Sequence, residues 1–302
     1  MMLMDFNDQV LCSIAVCLDD VKPLGRLACV ARRFNTPVFV QQGEVASLSV
    51  IDEAARVLVR RWPQAEQDKA PRADEPWLRI LAELHALAKP IRFTRFDATY
   101  IRPRETWVGM PCDTMCGCEV VPESAMPACG RLAVCAGYRM RAGVHYAEVQ
   151  LNMDHLFFGI ASAHNFPVNE VVMQTGEFWG IYTQDGNFVA AYDNYEGGVA
   201  EMGLTYPGME TFARNDKLGL RVDVDRRTMT VYKNRRRLGV ALRDLDMPMQ
   251  NGKACCFAVG LFDGWIQLEL GPPPELSAEE RAKEEEESRE FGPVSHTTYW
   301  YE

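Results

Sequence analysis

The chain has 302 residues, 47% hydrophobic and 25% charged, with a formal net charge of -10. That apolar content, with 22 Gly and 17 Pro, excludes fibrous, collagenous and wholly disordered classes and suits one large or two moderate domains. The acidic total argues against a dedicated nucleic-acid binder, which needs a Lys/Arg excess on at least one face. The acidity is concentrated at the end, where residues 275–302 hold 9 acidic and 3 basic side chains. The run ELSAEERAKEEEESRE within it has no apolar stripe and reads as a solvated, partly helical appendage. The start, MMLMDFNDQV, shows no secretory pattern, and no apolar run approaches the ~20 residues of a membrane span. Ten Cys at this length read as reduced, buried thiols. A chain of the cytoplasm or nucleus, without membrane contact, is the expectation.

Taken in chain order, the first elements are helical. Val10, Ile14, Cys17 and Leu18 recur on one helical stripe, and Asn7 or Asp8 suits its N-cap. Asp19-Asp20 ends that helix, and Pro23 opens the next, which places Leu24, Leu27, Ala28, Ala31 and Phe34 on one face before Pro37. Two such short helices cannot bury both stripes against each other, so a partner surface is implied. The stretch QVLCSIAVCLDDVKPLGRLACVARRFNTPV resembles an F-box through Leu18, Asp19, Leu24, Leu27, Val30 and Phe34. Phe6-Asn7 stands where that family opens with Leu-Pro. The resemblance implies docking on a SKP-type adaptor and cullin scaffold through Phe6, Val10, Ile14, Leu18, Leu24, Leu27, Val30 and Phe34. An N-terminal helical hairpin packed on the rest of the chain is the plain structural alternative.

Residues 52–90 continue helical, with one stripe of Ala55, Leu58, Val59 and Trp62 and another of Trp77, Ile80, Leu81, Leu84 and Leu87. QAEQDKAPRADEP between them is a surface loop. These helices are expected to buttress the segment before them and set its distance from the next domain.

From Tyr100 the pattern turns to strands. VHYAEVQL alternates, LFFGIA is a buried run, and EFWGIYT precedes the turn Asp185-Gly186. LGLRVDVD, TMTVYKN, FAVGLF and WIQLEL come after it, which argues for an antiparallel two-sheet sandwich. GVHYAEV, FGIA, FWGI, NDKLGLRVD, VYKNRRRLGVAL and LELG resemble, in that order, the strands of a SPRY domain over roughly 160 residues. Ala147 replaces that family's usual Trp, Arg235 its Gly after Asn234, and Glu269-Leu270 its Asn-Phe. The resemblance implies a recognition module holding a protein or peptide on loops at one end of the sandwich. Two stretches, 162–177 and 185–198, read as such loops. Phe166, Tyr192, Asn194 and Tyr195, with Phe262 and Trp265 of the FDGW turn, are the candidate target contacts, since aromatics and Asn give contact area and hydrogen bonds at small entropic cost.

No phosphate-binding loop, His-Glu-x-x-His helix or Gly-x-Ser-x-Gly elbow occurs, and the five His are scattered. Cys112, Cys116 and Cys118, with Cys129 and Cys135, lack the two close pairs of a structural zinc site and read as thiols. Cys255 and Cys256 are strand neighbours on opposite faces. Asp223 and Asp225 have a spacing open to paired carboxylates, but Asp225-Arg226-Arg227 reads better as a hairpin turn. Lys233, Arg235, Arg236 and Arg237 read as a solvated basic hairpin tip.

The expected fold class is therefore α+β and multidomain. An F-box-like domain (1–48) and helical linker (49–92) precede an antiparallel β-sandwich of SPRY type (93–271) and an acidic tail (272–302). The expected function is the non-catalytic substrate-recognition subunit of an SCF-type ubiquitin ligase, with no cofactor and no metal. A non-ligase interaction module is the first alternative, and a carbohydrate-active sandwich the second.

Overall fold

The computed structural model describes residues 24, 37–40, 47–70, 75–104, 115–121, 131–153, 155–163, 177–192, 199–243 and 254–289. The chain divides into two compact units, Met1–Ala88 and Lys89–Glu302.

In the first unit, β1 (Pro37–Val40) pairs antiparallel with β2 (Ser47–Ser49). Ser49 then caps α1 (Val50–Val59): its Oγ accepts from the Asp52 backbone N–H at 3.1 Å, satisfying one of the helix's open donors. A short α2 (Gln64–Gln67) comes after Pro63, and α3 (Trp77–Leu87) after Pro76, where the fixed φ of proline suits helix entry. The two stripes expected from the sequence meet here. Ala55, Leu58 and Val59 of α1 share a core with Ile80, Leu81 and Leu84 of α3, and Trp62 and Trp77 close its rim. The Asp52 carboxylate also accepts from the Leu78 N–H at 3.4 Å, tying the start of α3 to α1.

The second unit is built from β3 (Arg95–Phe96), β4 (Ile101–Arg104), β5 (Met115–Val120), β6 (Arg131–Val134), β7 (Val144–Gln150) and β8 (Leu156–Ser162). It continues through β9 (Glu177–Tyr182), β10 (Phe188–Tyr192), β11 (Val199–Leu204), β12 (Lys217–Asp223) and β13 (Thr228–Lys233). β14 (Arg236–Arg243), β15 (Cys255–Leu261), β16 (Trp265–Leu270) and α4 (Ala278–Arg289) complete it. The strands form two seven-stranded antiparallel sheets, ordered β11-β10-β9-β8-β15-β6-β3 and β14-β13-β12-β7-β16-β5-β4. They make a β-sandwich.

Alternation sets its faces. His145, Ala147 and Val149 of β7 and Leu218, Leu220 and Val222 of β12 are buried in the layer between the sheets, while Tyr146, Glu148, Lys217 and Arg221 take the outer face. Tyr138 bridges the layer. Its ring stacks on Phe257 of the first sheet, and its hydroxyl lies 3.1 Å from His145 Nδ1 of the second. His145 Nε2 reaches the Ala142 carbonyl at 2.8 Å, so this histidine is a fully engaged core residue. Cys116 and Cys135 face each other across the same layer at 3.9 Å, and burial raises the Cys118 and Cys135 thiols well above their ordinary value. Cys255 and Cys256 point to opposite faces and both are buried, because β15 is covered on both sides.

Three sequence expectations change. The stretch 185–198, read as a loop, contains β10, whose FVAAY pairs with β9 and β11; it has no Gly or Pro to break the ladder. Arg237, placed in a solvated basic tip, is buried, while Arg235 and Arg236 remain exposed. The acidic run near the end is not wholly solvated, since α4 packs on β14 and buries Glu284 and Glu287. Hydrophobic periodicity cannot announce such a helix, because what it buries is charge.

Candidate functional site

The turn from β15 to β16 crosses from one sheet to the other, and its middle is tight: Gly264 has φ +60. Phe262 and Trp265, three residues apart, therefore lie on different sheets. Phe262 is half-buried against Phe157 and Tyr182, with ring centroids at 5.4 and 6.1 Å, and Tyr182 stacks on Phe157 at 4.7 Å. His155 continues the row, 6.5 Å from Tyr182. These rings form a partly exposed aromatic edge on the first sheet.

Trp265 instead lines a recess of about 240 Å³ on the outer face of the second sheet, with Glu148, Lys217, Asn152, Gln267 and Glu269. Its electrostatic centre is Glu148, a carboxylate only 5% exposed. Glu148 accepts from Lys217 Nζ at 2.6 Å and from the Tyr146 hydroxyl at 3.1 Å, and Arg235 lies 3.6 Å away. Burial, and then the Glu148 charge, hold the Tyr146 hydroxyl well above the usual tyrosine range, so it stays a donor. Gly219 makes room for that hydroxyl: a Cβ there would stand 2.3 Å from it. The Asn152 Oδ1 in this recess is buried and has no hydrogen-bond partner among the described residues. An indole beside fixed charges and an open amide acceptor suits binding of a polar ligand such as a peptide; it is not a nucleophile–base pair.

Among the described sequence candidates, Phe262 and Tyr192 do not line this recess. Tyr192 ends β10, opposite Glu177 and Val199, so it belongs to a strand end. Phe166, Asn194 and Tyr195 lie outside the described residues, as do Phe6, Val10, Ile14, Leu18, Leu27, Val30 and Phe34. Leu24, expected on an adaptor-facing stripe, is fully buried in the core formed with α1 and α3. Asp223 and Asp225 serve their hairpin: Asp223 accepts from the Arg226 N–H at 3.0 Å and pairs with Arg221, and Asp225 accepts from the Gly143 N–H at 3.1 Å. Sequence reasoning missed Glu148 and Lys217, whose only signal is an outward register position on alternating strands.

No family model matches the sequence, and no curated protein matches it. Similar solved structures include the SPRY domain of human HERC1, 13% identical with a TM-score of 0.34, covering 60% of this chain and 94% of that one. The TRIM65 PSpry domain is 18% identical with a TM-score of 0.38, covering 59% and 90%. A human SPRY domain is 12% identical with a TM-score of 0.33, covering 51% and 90%. What defines the class of this protein is its own strand pairing: an antiparallel two-sheet β-sandwich following a small helical unit. No helix among the described residues is long and apolar enough to cross a membrane.

Proposed function

We propose that the chain is a recognition protein whose β-sandwich binds a protein or peptide target around the β15–β16 turn. The observation that carries this reading is the placement of Trp265 beside the buried Glu148 carboxylate and its partner Lys217, with Phe262 presented at the edge of the neighbouring sheet. Trp265 opens β16 and Phe262 directly follows β15, so paired strands fix both ends of the turn, which suits anchors that must lose little entropy on binding. In the fuller form of the reading, Phe166, Asn194 and Tyr195 extend the target surface. The F-box-like segment then recruits a SKP-type adaptor and cullin, so the chain acts as a substrate receptor that raises the effective concentration of its target.

Burial of Leu24 in the chain's own helical core favours a second reading, in which the first unit packs internally and the protein is an interaction module outside any ligase. Affinity capture of the full chain from cells, followed by mass spectrometry, separates the two. Recovery of adaptor and cullin, lost in the Leu18→Asp, Leu27→Asp variant, supports the receptor. Target recovery without them supports the module. Target recovery unchanged in both Trp265→Ala and Phe262→Ala would overturn the proposed binding surface.

A further inference from the structure

α4 is an unusual helix to find docked. Its sequence, AEERAKEEEESR, contains no large apolar side chain, and among residues 278–287 only Glu284 and Glu287 are buried, at 3% and 6% exposure. Spaced i, i+3, they share one face of the helix. Glu284 accepts from the Arg221 guanidinium of β12 and from the Thr230 hydroxyl of β13 at 3.4 Å. Glu287 accepts from Arg237 Nη2 of β14 at 2.5 Å and from the Val240 N–H at 3.4 Å.

The fit is incomplete. A cavity of about 710 Å³, lined by Arg221, Arg226 and Arg281 and by the carboxylates of Asp223, Asp225, Glu275, Glu284 and Glu285, runs beside the N-terminal half of the helix. On the floor beneath α4, the Tyr232 hydroxyl is buried without a hydrogen-bond partner among the described residues, and so is Arg237 Nε. A twelve-residue helix carrying the run Glu284–Glu287 is marginal on its own in water, and this one gains almost no apolar burial on docking. It is held by two charge-assisted contacts, and it leaves the Tyr232 hydroxyl, Arg237 Nε and Glu287 Oε1 without hydrogen-bond partners among the described residues. The face it covers offers the Arg221 and Arg237 guanidinium groups to carboxylates, with Asp223 and Asp225 beside them.

We propose that this face of the second sheet is a docking groove for an acidic helical segment of a partner protein, bearing two carboxylates at i, i+3, and that α4 is its intramolecular occupant. A partner that adds acceptors for Tyr232 and Arg237 Nε displaces α4 by exchange. The groove adjoins the recess around Trp265, since Tyr232 packs edge-on against Tyr146 with ring centroids 5.7 Å apart, but the proposal does not rest on an adaptor.

The test uses the full chain and a fluorescent peptide of residues 277–290, read by polarisation. Wild type, its groove filled, should bind the peptide at least about tenfold more weakly than the Glu284→Gln, Glu287→Gln variant, whose own helix no longer competes. Binding to that variant should weaken as salt rises, and a peptide with the same two Gln substitutions should not bind. Arg221→Lys, which keeps charge and fold, should bind less tightly in the variant background, because the guanidinium fork is lost. Equal affinity for wild type and variant, no binding to either, or indifference to the peptide's two carboxylates would each overturn the proposal. So would binding confined to a dimer in size-exclusion runs, which would assign the groove to α4 of a second copy.

Discussion

Arg237 of β14 and Glu287 of α4 meet at 2.5 Å with side chains 3% and 8% exposed, fifty residues apart in sequence. A guanidinium expected at a solvated hairpin tip and a carboxylate expected in a solvated tail have removed each other from water. Such a pair contributes little net stability, because desolvation offsets most of the attraction, but breaking it strands the remaining partner.

Glu287→Ala should therefore release α4 rather than unfold the sandwich, since undocking returns Arg237 to water. Amide exchange in residues 278–289 should rise at least about tenfold, with a stability loss of about 1–3 kcal/mol in urea. Arg237→Ala should lose a similar amount. The double variant should lose clearly less than the sum, which a double-mutant cycle would measure.

Gly159 and Gly180 face each other across β8 and β9, and the closeness of the two strands there depends on both. A Cβ on Gly159 would stand 2.1 Å from the Trp179 carbonyl oxygen and 2.5 Å from the Gly180 Cα. Both obstacles are backbone and cannot swing aside. Gly159→Ala should lower the urea midpoint by the equivalent of about 1–3 kcal/mol or more, with the slope unchanged.

Alkaline pH should weaken the second unit. Burial pushes the Cys255 thiol from 9.0 up to about 12, and burial likewise pushes the Tyr232 hydroxyl from 10.0 up to about 12. In both cases the native state binds the proton more tightly than the unfolded chain. The contribution is complete below the ordinary values of 9.0 and 10.0 and is lost as pH rises toward 12. Urea unfolding at increasing pH should show a falling midpoint above pH 9.0, and Cys255 should resist alkylation below that pH until denaturant is added.

Arg235 stands at φ +65 beside Asn234 at φ +51, the paired left-handed residues of a two-residue hairpin turn. Asn tolerates this, and its side chain is used: Oδ1 accepts from the Lys217 N–H at 2.8 Å and Nδ2 donates to Asp216 at 2.7 Å. Arg235 has no such compensation; its 3.6 Å approach to Glu148 is backed up by Lys217 at 2.6 Å. Arg235→Gly should raise stability by about 0.5–1 kcal/mol, seen as a higher thermal midpoint.

Much of the frame was legible in the sequence. The stripes through Leu58 and Val59 and through Ile80, Leu81 and Leu84 mark two helices that meet in one core. Alternation in VHYAEVQ and KLGLRVD marks strands with one apolar and one polar face, because side chains alternate across a strand, although the polar face is itself largely buried here. Turn residues located the β12–β13 and β13–β14 hairpins. FVAAY was not distinguishable from loop, since its apolar and small residues become a strand only when β9 and β11 supply the ladder.

The candidate site was less legible. Trp265 stood out as an exposed-type aromatic, but its neighbours Glu148 and Lys217 come from two strands joined only by sheet pairing. The sequence by itself determined which segments bury apolar surface, because that preference belongs to each side chain alone. Tertiary structure decided where the charges went: Glu284 and Glu287 differ in no local way from Glu285 and Glu286, which stay in water. What separates them is the arrival of Arg221 and Arg237 from distant strands, and a buried carboxylate is stable only where such a partner stands.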